Sequence, residues 1–280
     1  MCQFETPVFI YYSHITVFIL TLLTGFIILF KDIKHPINRN AFYFILIIAL
    51  WTIDDLVQWT AHSVSLNMFS AEISVMADLI FLFFLYFVYH FTCTEISIKK
   101  KWLLAIPYIL LLFLAFTKYN IQVFNISDCN YAHTKFMNGY LYLFEFLYIG
   151  WASYLLIKYY RNPINSSQAR SQIKVLLPAI WFFIIWIIIY EEISRISFLS
   201  NNYIDVTPQF IIGNLFFVSL IAFSIIKKDL FEFCSVPLNW LVVFVWLLIF
   251  VGMLLFSMNI GSSIISGIAY IILMIIFLKM

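Results

Sequence analysis

The sequence predicts an all-α polytopic membrane protein, a bundle of about nine transmembrane helices with the N-terminus outside and the C-terminus cytoplasmic. Three observations carry this. First, 64% of the 280 residues are hydrophobic and only 11% charged, whereas a soluble domain is nearer half apolar and a quarter charged. Second, the apolar residues fall in runs long enough to cross a hydrocarbon core of about 30 Å as helices. Third, the basic residues gather in alternate links between those runs, the bias that orients membrane helices.

Taken in order, the first span is expected at 8–30, closed by KDIKHPINRN. It is long and lacks a basic n-region and a small-residue cleavage site, so it reads as a retained helix and not a signal peptide. Further spans are expected at 41–62, 73–92 and 102–117, the last short and carrying Pro107. The loop KYNIQVFNISDCNYAHTKF leads to a fifth span at 138–158. After the polar linker YYRNPINSSQARSQIK come spans at 175–195 and 209–226. Lys227, Lys228 and Asp229 then precede two more, at 238–257 and 261–278, joined by a tight turn at Asn259. Residues 1–235 are thus expected to form a seven-helix bundle and residues 236–280 a two-helix transmembrane hairpin, with no soluble domain before or after.

Lys31, Lys34, Arg39, Lys99, Lys100, Lys101, Lys158, Arg161, Arg170, Lys174, Lys227, Lys228 and Lys279 fall on one side of this scheme. Only Lys118, Lys135 and Arg195 fall on the other, and the crowded side is the cytoplasmic one. The net charge of +2 is too small to suggest a nucleic-acid partner. Cys2, Cys93, Cys129 and Cys234 have no metal or redox spacing. Cys2 and Cys129 share the outer side, as free thiols or as a disulfide. Of the two sequons, only Asn125 lies outside; Asn165 falls on the cytoplasmic side.

The second span, AFYFILIIALWTIDDLVQWTAH, carries Asp54 and Asp55 side by side. A lipid-exposed aspartate costs about 2.5–3.5 kcal/mol near the centre of a spanning helix, so a pair implies something polar to face. At 1.5 Å per residue Asp54 lies about 20 Å above Ala41, in the outer third of the span. Asp78, Glu145, Glu191 and Glu192 fall at similar depth, with Arg195, His14 and Asn214. This layer is either an outward-facing pocket for a small external ligand or peptide, or a polar seam that fixes helix packing. Asp54, Gln58 and His62 stand at i, i+4 and i+8, where carboxylate, amide and imidazole share a face. No HxH, HxxxH or HExxH pattern accompanies them, and no metal or cofactor is expected. Glu191-Glu192-Ile-Ser-Arg195 is compared with the double-Glu motif of prenyl-processing proteases; its Arg comes one residue early and no His follows His133. With no GxSxG elbow or glycine-rich phosphate loop either, the chain is not expected to be an enzyme.

Three stretches carry a family resemblance: NRNAFYFILIIALWTIDDLVQW, ARSQIKVLLPAI at 169–180, and IDVTPQFIIGNLFFVSLIAFSIIKKDLFEF at 204–233. From Asn38 to Phe233 the chain resembles the N-terminal seven-transmembrane sensory region of bacterial histidine kinases. Ala222, Ile225, Ile226, Lys227, Lys228, Leu230 and Phe231 match the basic, Leu-Phe end of that family's seventh helix. The resemblance implies an input module of a two-component system in the bacterial cytoplasmic membrane, relaying its signal through Lys227, Lys228, Leu230 and Phe231. After Phe231 the sequence departs from the family: no phospho-acceptor His helix, ATP box or nucleotide lid follows. The output then belongs to a missing domain, or to a separate kinase or membrane partner, and a homodimer is a further possibility. Two other functions stay open. One is a structural subunit of a membrane complex docked by the terminal hairpin. The other is a small-solute or proton-coupled transporter, disfavoured because the acids are confined to the outer half.

Overall fold

The computed structural model of the chain describes residues 8–125, 131–162, parts of 170–186, and 207–226. The chain divides into two compact units, Met1–Ile173 and Lys174–Met280.

In the first unit, α1 is Val8–Lys31. Its few polar side chains are satisfied within the helix: the Ser13 and Thr24 hydroxyls donate to the carbonyls of Ile10 and Leu20, at 3.0 and 2.8 Å. The next helix, α2, is Pro36–Thr60 and starts before the expected Ala41. Pro36 suits a first helical turn, where no N–H is needed, and the His35 ring caps that turn by accepting the Ile37 N–H at 3.3 Å. Asn40 then donates back to the Pro36 carbonyl at 2.7 Å.

The third span differs most from expectation. It begins at Val64, not at 73, because Ser63 caps it by accepting the Leu66 N–H at 3.5 Å. It runs as α3 (Val64–Ile73), a 3-10 turn (Ser74–Asp78) and α4 (Leu79–Phe91). A tighter turn within a long helix re-aims the side chains around it. The helix closes on Cys93, whose φ of 50° is the left-handed position usual for glycine. The Cys93 and Thr94 N–H groups donate to the carbonyls of His90 and Tyr89, at 3.2 and 2.9 Å.

Next, α5 is Ile98–Ala115, capped by Ser97 and containing Pro107. The following loop is a correction to an all-α fold: β1 (Ile121–Phe124) pairs antiparallel with β2 (Tyr131–His133), Ile121 opposite His133 and Phe124 opposite Tyr131. Finally α6, Lys135–Arg161, is capped by Thr134, which accepts the Met137 N–H at 3.0 Å.

Packing runs from α1 onto α2, from α2 onto α3 and α4, and from α4 onto α6, while the 3-10 turn touches α2, α5 and α6. The core between α2 and α4 is aromatic: Phe44 meets Phe84 edge-on at 5.9 Å and Phe87 at 5.7 Å. Where α1 crosses α2, a Cβ on Gly25 would stand 3.0 Å from Ile45 Cγ2, so a small residue sets the approach.

Ile15, Ile19, Leu23, Ile27 and Phe30 form an exposed apolar stripe on α1, and Trp102, Ile106, Ile109 and Phe113 do the same on α5. Among the described residues four helices are long and apolar enough to cross a membrane: Ile10–Lys31, Pro36–Thr60, Val64–Phe91 and Lys135–Arg161. Helix α5 has Lys99, Lys100 and Lys101 in its first turn.

In the second unit, residues 176–182 are helical and α7 is Thr207–Ile226, close to the expected 209–226. A Cβ on Gly213 would stand 2.0 Å from the Trp186 ring nitrogen, so only glycine fits there without displacing the ring. Most of the expected sixth span, the Lys227–Phe231 segment and the terminal hairpin lie outside the described residues.

Candidate functional site

Asp54, Asp55 and Gln58 on α2 form the centre of a polar layer near the end of the bundle that carries the β-hairpin. Asp54 lies six residues from the end of α2, about 9 Å along the axis. Adjacent helix positions diverge by about 100°, and the two aspartates accordingly serve different neighbours. Asp55 reaches α1, where its Oδ2 lies 2.7 Å from His14 Nε2. Asp54 reaches α3, where its Oδ1 accepts from the Ser70 hydroxyl; its Oδ2 accepts from Gln58 Nε2 at 3.0 Å.

The His14–Asp55 contact fixes a proton count. His14 is fully buried, and its Nδ1 lies 2.8 Å from the Ile10 carbonyl. A carbonyl only accepts, so Nδ1 carries a hydrogen. The contact at Nε2 then needs one more proton, held by the imidazole as an ion pair or by the carboxyl as a neutral pair. Either form satisfies both groups, and either would leave the other costly if its partner were removed.

Gln58 also accepts through its carbonyl from Asn67 Nδ2 at 3.2 Å, and the same amide donates to Ala61 at 3.0 Å. These bonds close the α2–α3 link. His62 does not continue the Asp54–Gln58 line, because α2 ends at Thr60 and leaves His62 exposed beyond it.

The hairpin covers this cluster. Tyr131 donates to Ser74 Oγ at 3.3 Å and bonds Gln58. Burial pushes its hydroxyl up to about 12, with Asp54 and Asp55 adding to the rise against the two hydrogen bonds. Behind it Asn120, fully buried, ties three segments together. Its Nδ2 donates to the carbonyls of Ala115 (2.7 Å) and Glu72 (3.0 Å), and its Oδ1 accepts from His133 Nδ1 (2.8 Å). Burial lowers the His133 pKa, and the Asn120 contact opposes that shift.

A second cluster lies where the 3-10 turn meets α5 and α6. Asp78 ends the turn, and Asp78 and Glu145 both act electrostatically on the hydroxyl of Tyr108 in α5. Pro107 lacks the N–H that would bond the Leu103 carbonyl, and its ring loosens the preceding turn. On α6, Tyr148 donates to the Leu104 carbonyl, and Tyr140 donates to the Pro107 carbonyl at 2.7 Å. Tyr108 stands edge-on to Tyr148 at 5.3 Å.

The structure therefore brings His14, Asp54, Asp55 and Gln58 into one network, while Asp78 and Glu145 lie apart from it, on the 3-10 turn and on α6. Asn214 is buried in α7, and neither of its amide atoms has a hydrogen-bond partner among the described residues. Glu191, Glu192, Arg195, Lys227, Lys228, Leu230 and Phe231 lie outside the described residues. Among the described residues no three His, Cys, Asp or Glu side chains are grouped to hold a metal ion. Sequence reasoning missed Ser70, Tyr108, Asn120 and Tyr131. Starting the third span at the Ser63 cap would have brought Ser70 within it; no local signal marks the other three.

Residues 13–234 match a family model described as the N-terminal 7TM region of histidine kinase. The match covers no kinase catalytic domain. No curated protein and no solved structure matches the chain.

Proposed function

Because the chain belongs to the family of N-terminal 7TM regions of histidine kinases, we propose that it is a membrane signal-input module whose signal enters through the polar layer around Asp54 and Asp55. The observation that carries this is the division of labour between the two aspartates: one neighbouring pair of carboxylates holds both α1, through His14, and α3, through Ser70. A ligand that changes the charge or hydrogen bonding of this pair acts on two helix contacts at once. Such differential contact is what biases a two-state bundle.

In this reading the layer faces outside. The supporting asymmetry is the gathering of Lys31, Lys99, Lys100, Lys101, Lys158 and Arg161 at the opposite helix ends. Nine spans, a bilayer boundary on the apolar stripes, and a cytoplasmic C-terminus complete the topology. His62, Asp78 and Glu145 are read as belonging to the same outer end of the first unit. The seventh span passes movement to Lys227, Lys228, Leu230 and Phe231, and through them to an output domain, a separate kinase or a second copy of the chain. The seven-helix part ends near residue 235, and the hairpin at 236–280 lies beyond it.

Hydrogen exchange on the full chain in nanodiscs tests the relay. Replacing Asp54, Asp55 and Asp78 together by Asn is expected to change exchange in the peptide spanning 227–233. Unchanged exchange there, in a variant that remains folded, contradicts the proposal.

A further inference from the structure

Helix α5 opens with a run of three lysines, Lys99, Lys100 and Lys101, and Lys99 stands at the head of an exposed apolar face. At about 100° per residue Lys99, Leu103, Ile106, Leu110 and Phe113 share one side of the helix. The four apolar members are all exposed, from 48% at Leu110 to 69% at Phe113. The rise from Leu103 to Phe113 is about 15 Å, which is one leaflet of a hydrocarbon core of about 30 Å. Lys99 lies one turn further along, about 6 Å, at the level a lipid headgroup would take. Between the two, Trp102 is 65% exposed, and tryptophan favours the boundary between headgroups and tails. The face thus follows the order of a lipid: phosphate level, interface, acyl chain.

No acid of the chain answers these lysines. Among the described residues Lys99, Lys100 and Lys101 form no ion pair, and the first two are exposed. The turn that carries them is held in place: Ser97 accepts the Lys100 N–H at 3.4 Å, and Tyr86 of α4 donates to the Lys101 carbonyl at 2.6 Å. With the backbone bonded in this way, the attraction on offer comes from the side-chain charges. We propose that this face of α5 is a docking site for an anionic phospholipid, with its phosphate held by Lys99 and Lys100, Trp102 at its glycerol level and an acyl chain along Leu103–Phe113. Long lysine stems lie on apolar surface while their ammonium groups reach the headgroup layer, and each basic group there adds affinity for an anionic lipid. A zwitterionic lipid fits less well, because it brings a cation of its own to the lysines. The site lies apart from Asp54 and Asp55 and does not depend on the signalling proposal.

The full chain is tested in nanodiscs that carry the bromine either on phosphatidylglycerol or on phosphatidylcholine, at matched bromine content and matched total charge. Bromine quenches nearby tryptophan, and the part due to Trp102 is the difference between the parent and Trp102→Phe. At Trp102 phosphatidylglycerol is expected to be favoured about threefold to tenfold. Lys99→Gln combined with Lys100→Gln is expected to abolish that preference at an unchanged unfolding temperature. The two single variants, each expected to lower it about twofold or more, keep the test open should the double variant not fold. Lys158→Gln with Arg161→Gln, on the same side but on α6, is expected to leave the preference in place. Equal quenching by the two lipids in the parent overturns the proposal, as does a preference that survives loss of both lysines. So does a preference that the α6 variant removes equally, because a diffuse basic end would then account for it. Soluble glycerol phosphate separates a lipid from a free anion: it is expected to leave the quenching unmoved, and displacement of the lipid by it overturns the proposal. The triple Asp variant is expected to keep the lipid preference, so this site and the signalling proposal fail separately.

Discussion

Asp54 and Asp55 differ by one position in sequence and by about 100° around the helix axis. Their angle makes one a partner of α1 and the other a partner of α3. The His14–Asp55 pair holds a single shared proton beyond the one fixed on Nδ1, which gives an ordered set of variants. Asp55→Asn offers an N–H to a neutral His14 and is expected to unfold close to the parent temperature. Asp55→Ala leaves Nε2 buried without a partner and is expected to cost about 1–3 kcal/mol in thermal or denaturant unfolding. His133 gives the second residue-scale prediction. Burial holds its folded pKa below the ordinary 6.5, so the unfolded chain takes up this proton first as pH falls. The unfolded state then binds more protons, and stability rises with pH across that window. The contribution is complete above about 6.5 and is lost as pH drops toward the folded value. Between pH 5 and 7, His133→Asn is expected to show a flatter dependence of unfolding temperature than the parent. At this scale the acids were legible in the sequence, because charge in an apolar run stands out. Their partners were not: Ser70 and Tyr131 are ordinary residues whose roles arise only when α3 and the hairpin fold onto α2.

At the scale of elements, the apolar runs located most of the helices, since a run of that length has few other solutions. Boundaries moved where a cap, not hydropathy, decides them, as at Pro36 and Ser63. The hairpin escaped notice because its strands are four and three residues long, too short for an alternating pattern to register. The 3-10 turn at Ser74–Asp78 was hidden inside what reads as a continuous helix, and it is this turn that brings Asp78 against α5 and α6. Between those helices, Tyr148 donates to the Leu104 carbonyl, beside the Leu103 carbonyl whose helical donor Pro107 lacks, in the turn that the proline loosens. Tyr148→Phe is therefore expected to cost about 1 kcal/mol or more with Pro107 present and less in a Pro107→Ala background. A double-mutant cycle read by denaturant unfolding measures this coupling, and additive effects would separate the two residues.

For the whole molecule, the broad aliphatic and aromatic surfaces on α1 and α5 have no place in water, and the family assignment of residues 13–234 accounts for them as membrane-facing. The class of the protein was legible from composition because a bilayer constrains the entire chain at once. The make-up of the polar layer was not, because its side chains are brought together from five separate elements. The most direct measurement joins residues 1–233, in frame, to the catalytic core of a histidine kinase and compares autophosphorylation in nanodiscs with and without the triple substitution of Asp54, Asp55 and Asp78 by Asn. If the polar layer is the signal input, the triple variant shifts the autophosphorylation rate several-fold from the parent fusion at equal protein level. Equal rates in two folded fusions would contradict it.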